Sequence, residues 1–312
     1  MSALIVFIQK AIAQGIGMLF GATGEIITEK SGNLNLGVPG LMYIAGLMGA
    51  FIYESGTENP SGIVGVLISM LCALLASGFG ALIYSVLTIT LRANQNVTGL
   101  ALTTFGVGFG NFFGGSLSQL AGGVGQISVA VTGGTYRTKI PGLSKIPVIG
   151  DVLFSYGFMT YFGIILAILV SWFMYKSRKG LNLRAVGESP ATADAAGINV
   201  TLYKYLATII GGAISGLGGL YFVMEYSGGW LAIALVIFAL WKPINAIWGS
   251  FLFGALYILY LYIPGLGRSM QEIFKMLPYL VTIVVLIFTS FRKKKEYQPP
   301  ESLGNSYFRE DR

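Results

Sequence analysis

The sequence predicts an all-α fold, a polytopic helical bundle built into a lipid bilayer, and three observations carry that prediction. Over 312 residues, hydrophobic side chains make up 54% and charged ones 11%, with a mean hydropathy of +0.72. A water-soluble surface needs far more charge, roughly a quarter of its residues. The apolar runs are mostly 17 to 25 residues long, matching the roughly 20 residues with which a helix crosses a hydrocarbon core of about 30 Å. The strict alternation of a membrane β-barrel, with strands of about 10 residues, is not visible.

About nine membrane segments follow from these runs. The first, 12–27, follows an N-terminus with no basic region and no small-residue cleavage site, so the reading is a retained helix rather than a removed signal. The second, 34–53, opens on Asn33 and Asn35. The third, 63–91, ends at Arg92, and the fourth, 97–115, carries Thr103, Thr104 and Asn111. Segments 152–175 and 203–225 flank a polar connection at 176–203. The run 230–241 is too short for an ordinary crossing and is expected to be tilted, broken or re-entrant. Segments 244–263 and 274–291 complete the transmembrane domain, 1–291, and a basic tail, 292–312, follows.

Starting from a cytoplasmic 176–203 connection, alternation places Lys30, Arg92, Lys242 and the "RKKK" after Phe291 on the same side. The 20 basic residues then divide 14 inside to 6 outside. The positive-inside rule therefore sets the N-terminus outside and the C-terminus inside. The net charge of +7 is thereby explained by topology; a nucleic-acid partner is not expected, because no basic face is interleaved with aromatics. The loop 116–150 faces outward with Arg137, Lys139 and Lys145 on a proline- and glycine-rich stretch. Two readings stand for it, a platform for an acidic partner and an ordinary solvated loop.

The chain has no histidine, and its one cysteine, Cys72, lies mid-span. Imidazole-based triads, cysteine zinc sites and haem ligation therefore have no ligands to draw on. No GxxxxGK[ST] loop occurs, nor any Gly-Lys dipeptide, so the chain has no phosphate cradle of Walker type. If transport is driven by ATP, ATP and Mg are bound by another subunit.

In "KGLNLRAVGESPATADAAGINV", Ser189 suits an N-cap, Pro190 the first helical position, and Gly197 the left-handed residue after the last turn. A helix of about two turns is predicted between them. So short a helix needs external support. It is either a connection capped for local order or a lever on which a separate motor acts.

Glycine, at 44 residues, recurs at four-residue spacing: Gly17 and Gly21, Gly106 and Gly110, Gly110 and Gly114, Gly212 and Gly216. That pattern allows close backbone approach between membrane helices. "GGAISGLGG" lies inside an apolar span without the preceding strand of a dinucleotide site, so packing is its reading. Polar residues within spans, Gln14, Thr23, Glu25, Asn33, Asn35, Thr103, Thr104, Asn111 and Thr208, serve helix contacts one by one. Together they suggest a path for a neutral polar solute, with Asn33, Asn35, Thr103, Thr104 and Asn111 as its candidate lining.

Several blocks resemble one family, the permease subunits of bacterial ABC importers for branched-chain amino acids, simple sugars and nucleosides. "GATGEIITEKSGNLNLGVPGLMYIAGLMGA" is similar to the family's early block. "RANQNVTGLALT" resembles its Arg-Ala-Asn block with Gln95 in place of an acid, and "GLNLRAVGESPATADAAGINVTLYKYLATIIGGAISGLGGLY" its coupling segment. "WLAIALVIFALWKPINAIWGSFLFG" and the tail "SLGNSYFRED" extend the likeness almost end to end.

The tail and the "TEKSGNLNLGVPG" block point to the nucleoside branch, guanosine or uridine importers. The resemblance implies a multi-pass subunit of a bacterial plasma membrane, paired with a second, different permease subunit. It further implies ABC ATPase subunits below and an extracellular substrate-binding lipoprotein above. It places ATPase coupling on Arg184, Glu188, Ser189, Pro190, Ala193, Asp194 and Gly197, where the family's acidic-Ala-Ala-Gly pattern reads "ADAAG".

The expected function is inward movement of nucleosides by alternating access, with no covalent chemistry and no cofactor in this chain. The alternatives are a ribose-type sugar permease and an ion-coupled secondary transporter. The second would show carboxylate pairs deep in the membrane, and uptake surviving loss of the ATPase. A membrane-embedded enzyme would need a catalytic constellation that these residue types do not supply.

Overall fold

The structure is a computed structural model that describes residues 3–55, 63–120, 133–138, 149–224, 232–292 and 298–308. Among the described residues all regular structure is helical. The elements are α1 (Ala3–Lys30), α2 (Val38–Ser55), α3 (Ile63–Ser85) with a π-helical turn Val86–Thr90, α4 (Gln95–Leu120), and the short α5 (Gly133–Tyr136) and α6 (Ile149–Leu153). Next come α7 (Phe158–Lys176), α8 (Arg178–Glu188), α9 (Pro190–Ala195) and α10 (Val200–Met224). The last are α11 (Ala232–Phe238), α12 (Pro243–Ile258) with a 3-10 turn Leu259–Tyr262, α13 (Arg268–Lys275) and α14 (Leu277–Arg292).

Among the described residues six helical stretches are long and apolar enough to cross a membrane: Ala3–Lys30, Ile63–Thr90, Phe158–Lys176, Val200–Met224, Pro243–Tyr262 and Arg268–Phe291. The apolar part of α2, Val38–Ala50, is shorter. α4 has the length, at 26 residues, but its amides, hydroxyls and glycines dilute its hydropathy. The short run 230–241 holds only the seven-residue α11, about 10 Å of helix. Trp230 itself lies outside the described residues, as do Lys139, Lys145 and Lys293–Lys295 of the predicted loop and tail.

The described chain on either side of α11 lies at different places in the bundle. α10 starts beside Asn33 and runs 25 residues, which carries Met224 about 37 Å away. At Met224 the backbone carbonyl accepts from Arg137 Nη2 at 2.9 Å. By Trp241 the chain is back beside Glu29 and Lys30 at the end of α1. Leu240 and Trp241 make the turn with φ of 53° and 54°, a left-handed pair that costs energy in non-glycine residues. α11 itself is a short helix buried against α1, α14, α12 and α2, the setting in which broken helices are tolerated.

α1 and α10 form the centre. α1 packs on α10 and α12, and α10 also on α2 and α3. Glycine lets these backbones approach. A Cβ on Gly219 would meet the Met42 carbonyl, one on Gly24 the Gly211 carbonyl, and one on Gly106 the Gly40 backbone. Of the predicted glycine pairs, Gly212 and Gly216 lie against Ala81 and Ser77 of α3, and Gly17 lies under the Phe222 ring. Hydroxyls reinforce the same seams: Ser77 Oγ donates to the Gly212 carbonyl (2.5 Å), and Ser215 Oγ to that of Gly21 (3.1 Å). The outward faces are apolar, as with Leu67, Leu71 and Leu75 on α3 and Ile165, Leu169 and Trp172 on α7. That is the surface a bilayer would cover.

One end of the bundle gathers most of the described basic residues. The end of α1, the α3–α4 turn at Arg92, α8, α9, the start of α10 and Trp241–Lys242 meet there. The C-terminal segment closes over them: Ser302 N–H and Oγ–H donate to the Gly187 carbonyl (3.1 and 2.6 Å), and Gly304 N–H to that of Gly32 (3.1 Å). Arg92 stacks on Phe308 with its guanidinium carbon 4.3 Å from the ring centre.

Candidate functional site

The predicted capped helix is present at the basic end. Ser189 Oγ accepts from the Thr192 backbone N–H (3.4 Å) and bonds the Thr192 hydroxyl (2.8 Å), and Pro190 fills the first position. After six residues Gly197 turns left-handed at φ +81°, and Ile198 N–H closes on the Ala193 carbonyl at 3.0 Å. This 6→1 bond is the expected glycine-terminated ending.

α9 is the second half of a helix–turn–helix, because α8 runs up to Ser189, whose N–H still donates to the Ala185 carbonyl (2.9 Å). α8 is itself capped by Ser177, which accepts from Gly180 N–H at 2.9 Å. Glycines seat it: a Cβ on Gly180 would strike the Phe173 carbonyl and one on Gly187 the Lys30 carbonyl. α9 leans on a small apolar cluster of Val186, Ala193 and Val200, with Ile198, Tyr203 and Tyr307 around it. That cluster supplies the support so short a helix requires.

The residues predicted for coupling divide by position. Ser189 and Gly197 are exposed and Pro190 half-buried, on the outer surface of the knob. Ala193 is buried beneath it. Asp194 faces the C-terminal segment and accepts from the Tyr307 hydroxyl at 2.9 Å. Arg184 lies over the Tyr175 ring, 4.8 Å from its centre, and Glu188 is the leading opposite charge near Lys30. Arg184 and Glu188 thus serve the seat of the knob, while Ser189 to Gly197 form its projecting part.

The five residues predicted to line a solute path do not come together. Asn33, Asn35 and Thr103 are buried around the turn that leads into α2. Asn33 Nδ2 donates to Thr208 Oγ1 (2.9 Å), Asn35 Oδ1 accepts from Gly37 N–H (2.9 Å), and Thr103 Oγ1 donates to the Leu36 carbonyl (2.7 Å). Thr104 and Asn111 lie two turns apart on an exposed face of α4. The segregation follows from helix geometry, since Thr103 and Thr104 point about 100° apart.

The buried turn is held by carboxylates. Glu25 Oε1 accepts from the Asn35 N–H (3.0 Å), and Glu29 Oε2 accepts from the indole N–H of Trp241. Tyr84 OH donates to the Leu34 carbonyl (2.5 Å), and Leu34 N–H donates to Gln95 Oε1 (2.6 Å). Gln95 can do this as a neutral amide, where an acid would bury a further charge. Sequence reasoning missed Glu29, Trp241 and Tyr84, which lie far apart in the chain. It also missed the role of the C-terminal segment, although the "SLGNSYF" stretch was visible as a motif.

Residues 7–286 match the family described as branched-chain amino acid transport system / permease component. The chain belongs to this family. Permease components move solutes and are not enzymes, and among the described residues no cluster of carboxylates or thiols could hold a metal ion. The chain is 31% identical to a nucleoside ABC transporter permease protein of Lactococcus lactis, over 91% of this chain and 92% of that one. It is 31% identical to a guanosine ABC transporter permease protein of Bacillus subtilis, over 91% of each. A provisionally named glucose ABC transporter permease protein of Haloferax volcanii is 32% identical over 94% of each chain. No solved structure matches. This permease is therefore a multi-pass helical membrane protein whose family works with ATPase and substrate-binding components.

Proposed function

We propose that this permease forms half of an inward translocation path for nucleosides in a bacterial plasma membrane, paired with a second, different permease subunit. ATP and Mg act on separate ATPase subunits beneath it, and an extracellular lipoprotein delivers the solute. The observation that carries the substrate is the end-to-end likeness to two permeases named for nucleosides and guanosine. The basic end is the cytoplasmic one by the positive-inside rule, so the N-terminus is outside and the C-terminus inside. Nine passages make up this proposed arrangement, with the run that holds α11 as the seventh. The domain thus runs over 1–291, with 116–150 outward, 176–203 as the coupling connection and 292–312 as a cytoplasmic tail.

Coupling is mechanical. The outer surface of the knob, Ser189, Pro190 and Gly197 with Ala193 and Asp194 behind them, fits a groove on an ATPase. Arg184 and Glu188 pass its displacement to the end of α1. Asn33, Asn35 and Thr103 then act at the inner end of the path, and Thr104 and Asn111 along the seam with the second subunit.

The test is uptake of radiolabelled guanosine, uridine and ribose in cells with and without the gene. Loss of guanosine and uridine uptake is expected. The glucose-named relative favours a sugar as the second reading, and selective loss of ribose uptake would select it. Uptake that survives loss of the ATPase and collapses with an ionophore would instead indicate an ion-coupled carrier.

A further inference from the structure

At the basic end a cavity of about 480 Å³ opens between the α3–α4 turn, the α9–α10 connection and the C-terminal segment. Its wall includes Lys204, a side chain only 3% exposed. Among the described residues its ammonium has no hydrogen-bond or ion-pair partner, and its side chain lines the cavity. A buried cation without a counter-charge is costly, and a ligand anion would remove that cost. Arg92 adds a second positive charge to the wall, at φ 57°, a strained backbone of the kind found at ligand sites.

The N-termini of two long helices face the same space, α10 through Val200 and Thr201 and α4 through Gln95. Both present positive dipole ends. Among the described residues the one carboxylate in the wall, Asp194, is engaged by Tyr307.

We propose that this cavity binds a phosphorylated nucleoside of the monophosphate class from the cytoplasm, and that the bound ligand slows transport. The proposal rests on the nucleoside reading above for the ligand's biological source, and on the cavity for its chemistry. Lys204, Arg92 and the two helix ends take the phosphate. The volume is far larger than inorganic phosphate requires and lies in the range of about 300–1,000 Å³ typical of small-molecule sites. Hydroxyls and amides at Thr201 and Asn199 suit a ribose, and the Tyr307 ring offers a stacking face.

Three parts of the chain line the cavity: the knob, the α3–α4 turn and the C-terminal segment. A ligand touching all three stabilises the arrangement in which it binds and so opposes the shift that coupling requires. Imported nucleosides that accumulate as phosphorylated products would thereby restrain their own uptake.

The experiment uses the assembled transporter in nanodiscs, with its ATPase sites saturated by a non-hydrolysable ATP analogue. GMP, UMP, ribose 5-phosphate, inorganic phosphate and guanosine are the probes in equilibrium binding. GMP and UMP are expected to bind, and Lys204→Gln to weaken them at least tenfold. Thr201→Glu, at an exposed rim position, does the same by charge repulsion without disturbing the core. In separate turnover assays with ATP, GMP is expected to lower substrate-stimulated hydrolysis several-fold in the unaltered protein and not in these variants.

Binding indifferent to both substitutions, or absent while nucleoside uptake is intact, overturns the site. Ribose 5-phosphate or inorganic phosphate binding as tightly as GMP overturns the nucleoside assignment. An acidic side chain of the ATPase cross-linking to Lys204 shows instead that a partner fills the cavity. Loss of the nucleoside uptake reading with GMP binding retained leaves the site standing and removes only its feedback role.

Discussion

Several polar residues of the bundle interior have a traceable partner, and the Glu29–Trp241 pair shows it most directly. Glu29 is 2% exposed and takes the indole N–H of Trp241. In Trp241→Phe the ring volume largely remains while the donor is lost, leaving a buried carboxylate oxygen short of a partner. A cost of about 1–3 kcal/mol is expected, read as a lower unfolding midpoint of the detergent-solubilised protein. Trp248→Phe, at a side chain 72% exposed, is the control and leaves the midpoint unchanged. Glycines divide in the same way. At Gly219 a Cβ would run into the Met42 carbonyl, whereas at Gly108 it meets nothing within 4 Å. Gly219→Ala is expected to destabilise by about 1–3 kcal/mol through forced separation of α2 and α10, and Gly108→Ala to be neutral or stabilising by up to about 1 kcal/mol in the isolated subunit. The opposite signs are checked in one series of thermal unfolding curves.

At the scale of elements, local chemistry was legible and distant chemistry was not. Ser189, Pro190 and Gly197 announce α9 because a cap, a first-turn proline and a left-handed glycine all act within a few residues. The bonds from Ser302 to Gly187 and from Tyr307 to Asp194 join positions more than a hundred residues apart, and no local pattern encodes them. The shortness of 230–241 was visible because length is local, but its return to Glu29 depends on tertiary packing. Thr103 and Thr104 looked equivalent as neighbours in sequence, and only the helix's rotation separates one from the other.

The knob carries its own prediction. Ser189→Ala and Gly197→Ala each weaken α9 by about 1 kcal/mol, through a lost cap and a strained left-handed residue respectively. Fraying of a six-residue helix then appears as faster backbone hydrogen exchange at 190–198, with ATP hydrolysis less tightly tied to uptake. Tyr307→Phe, which removes only the hydroxyl bonded to Asp194, is expected to speed exchange over the same residues. Unchanged exchange in Tyr307→Phe would show that the C-terminal segment merely rests against α9.

For the molecule as a whole, the decisive surface is the open face of α4. Lipid accepts the apolar faces of α3, α7 and α14, but Asn111 is exposed and makes no hydrogen bond among the described residues. An amide in hydrocarbon without a partner is costly, and such residues ordinarily face protein or water. Thr104, two turns earlier, and the neighbouring Gly108 give the same face a polar, small-residue character suited to a close helix partner. Under the function proposed above, the second permease subunit covers this face and these residues lie along the seam between the two halves. Since Cys72 is the single native cysteine, Cys72→Ala provides a thiol-free background, and Asn111→Cys then reports on its surroundings alone. With cysteines placed along the second subunit, cross-linking at one or two of them by a short bis-maleimide is expected in the assembled transporter, with the ATP sensitivity that the proposed coupling implies. A cysteine at 111 that links to no position on the second subunit, while a lipid-confined reagent labels it fully in the complex, would place α4 against the bilayer and move the solute path elsewhere.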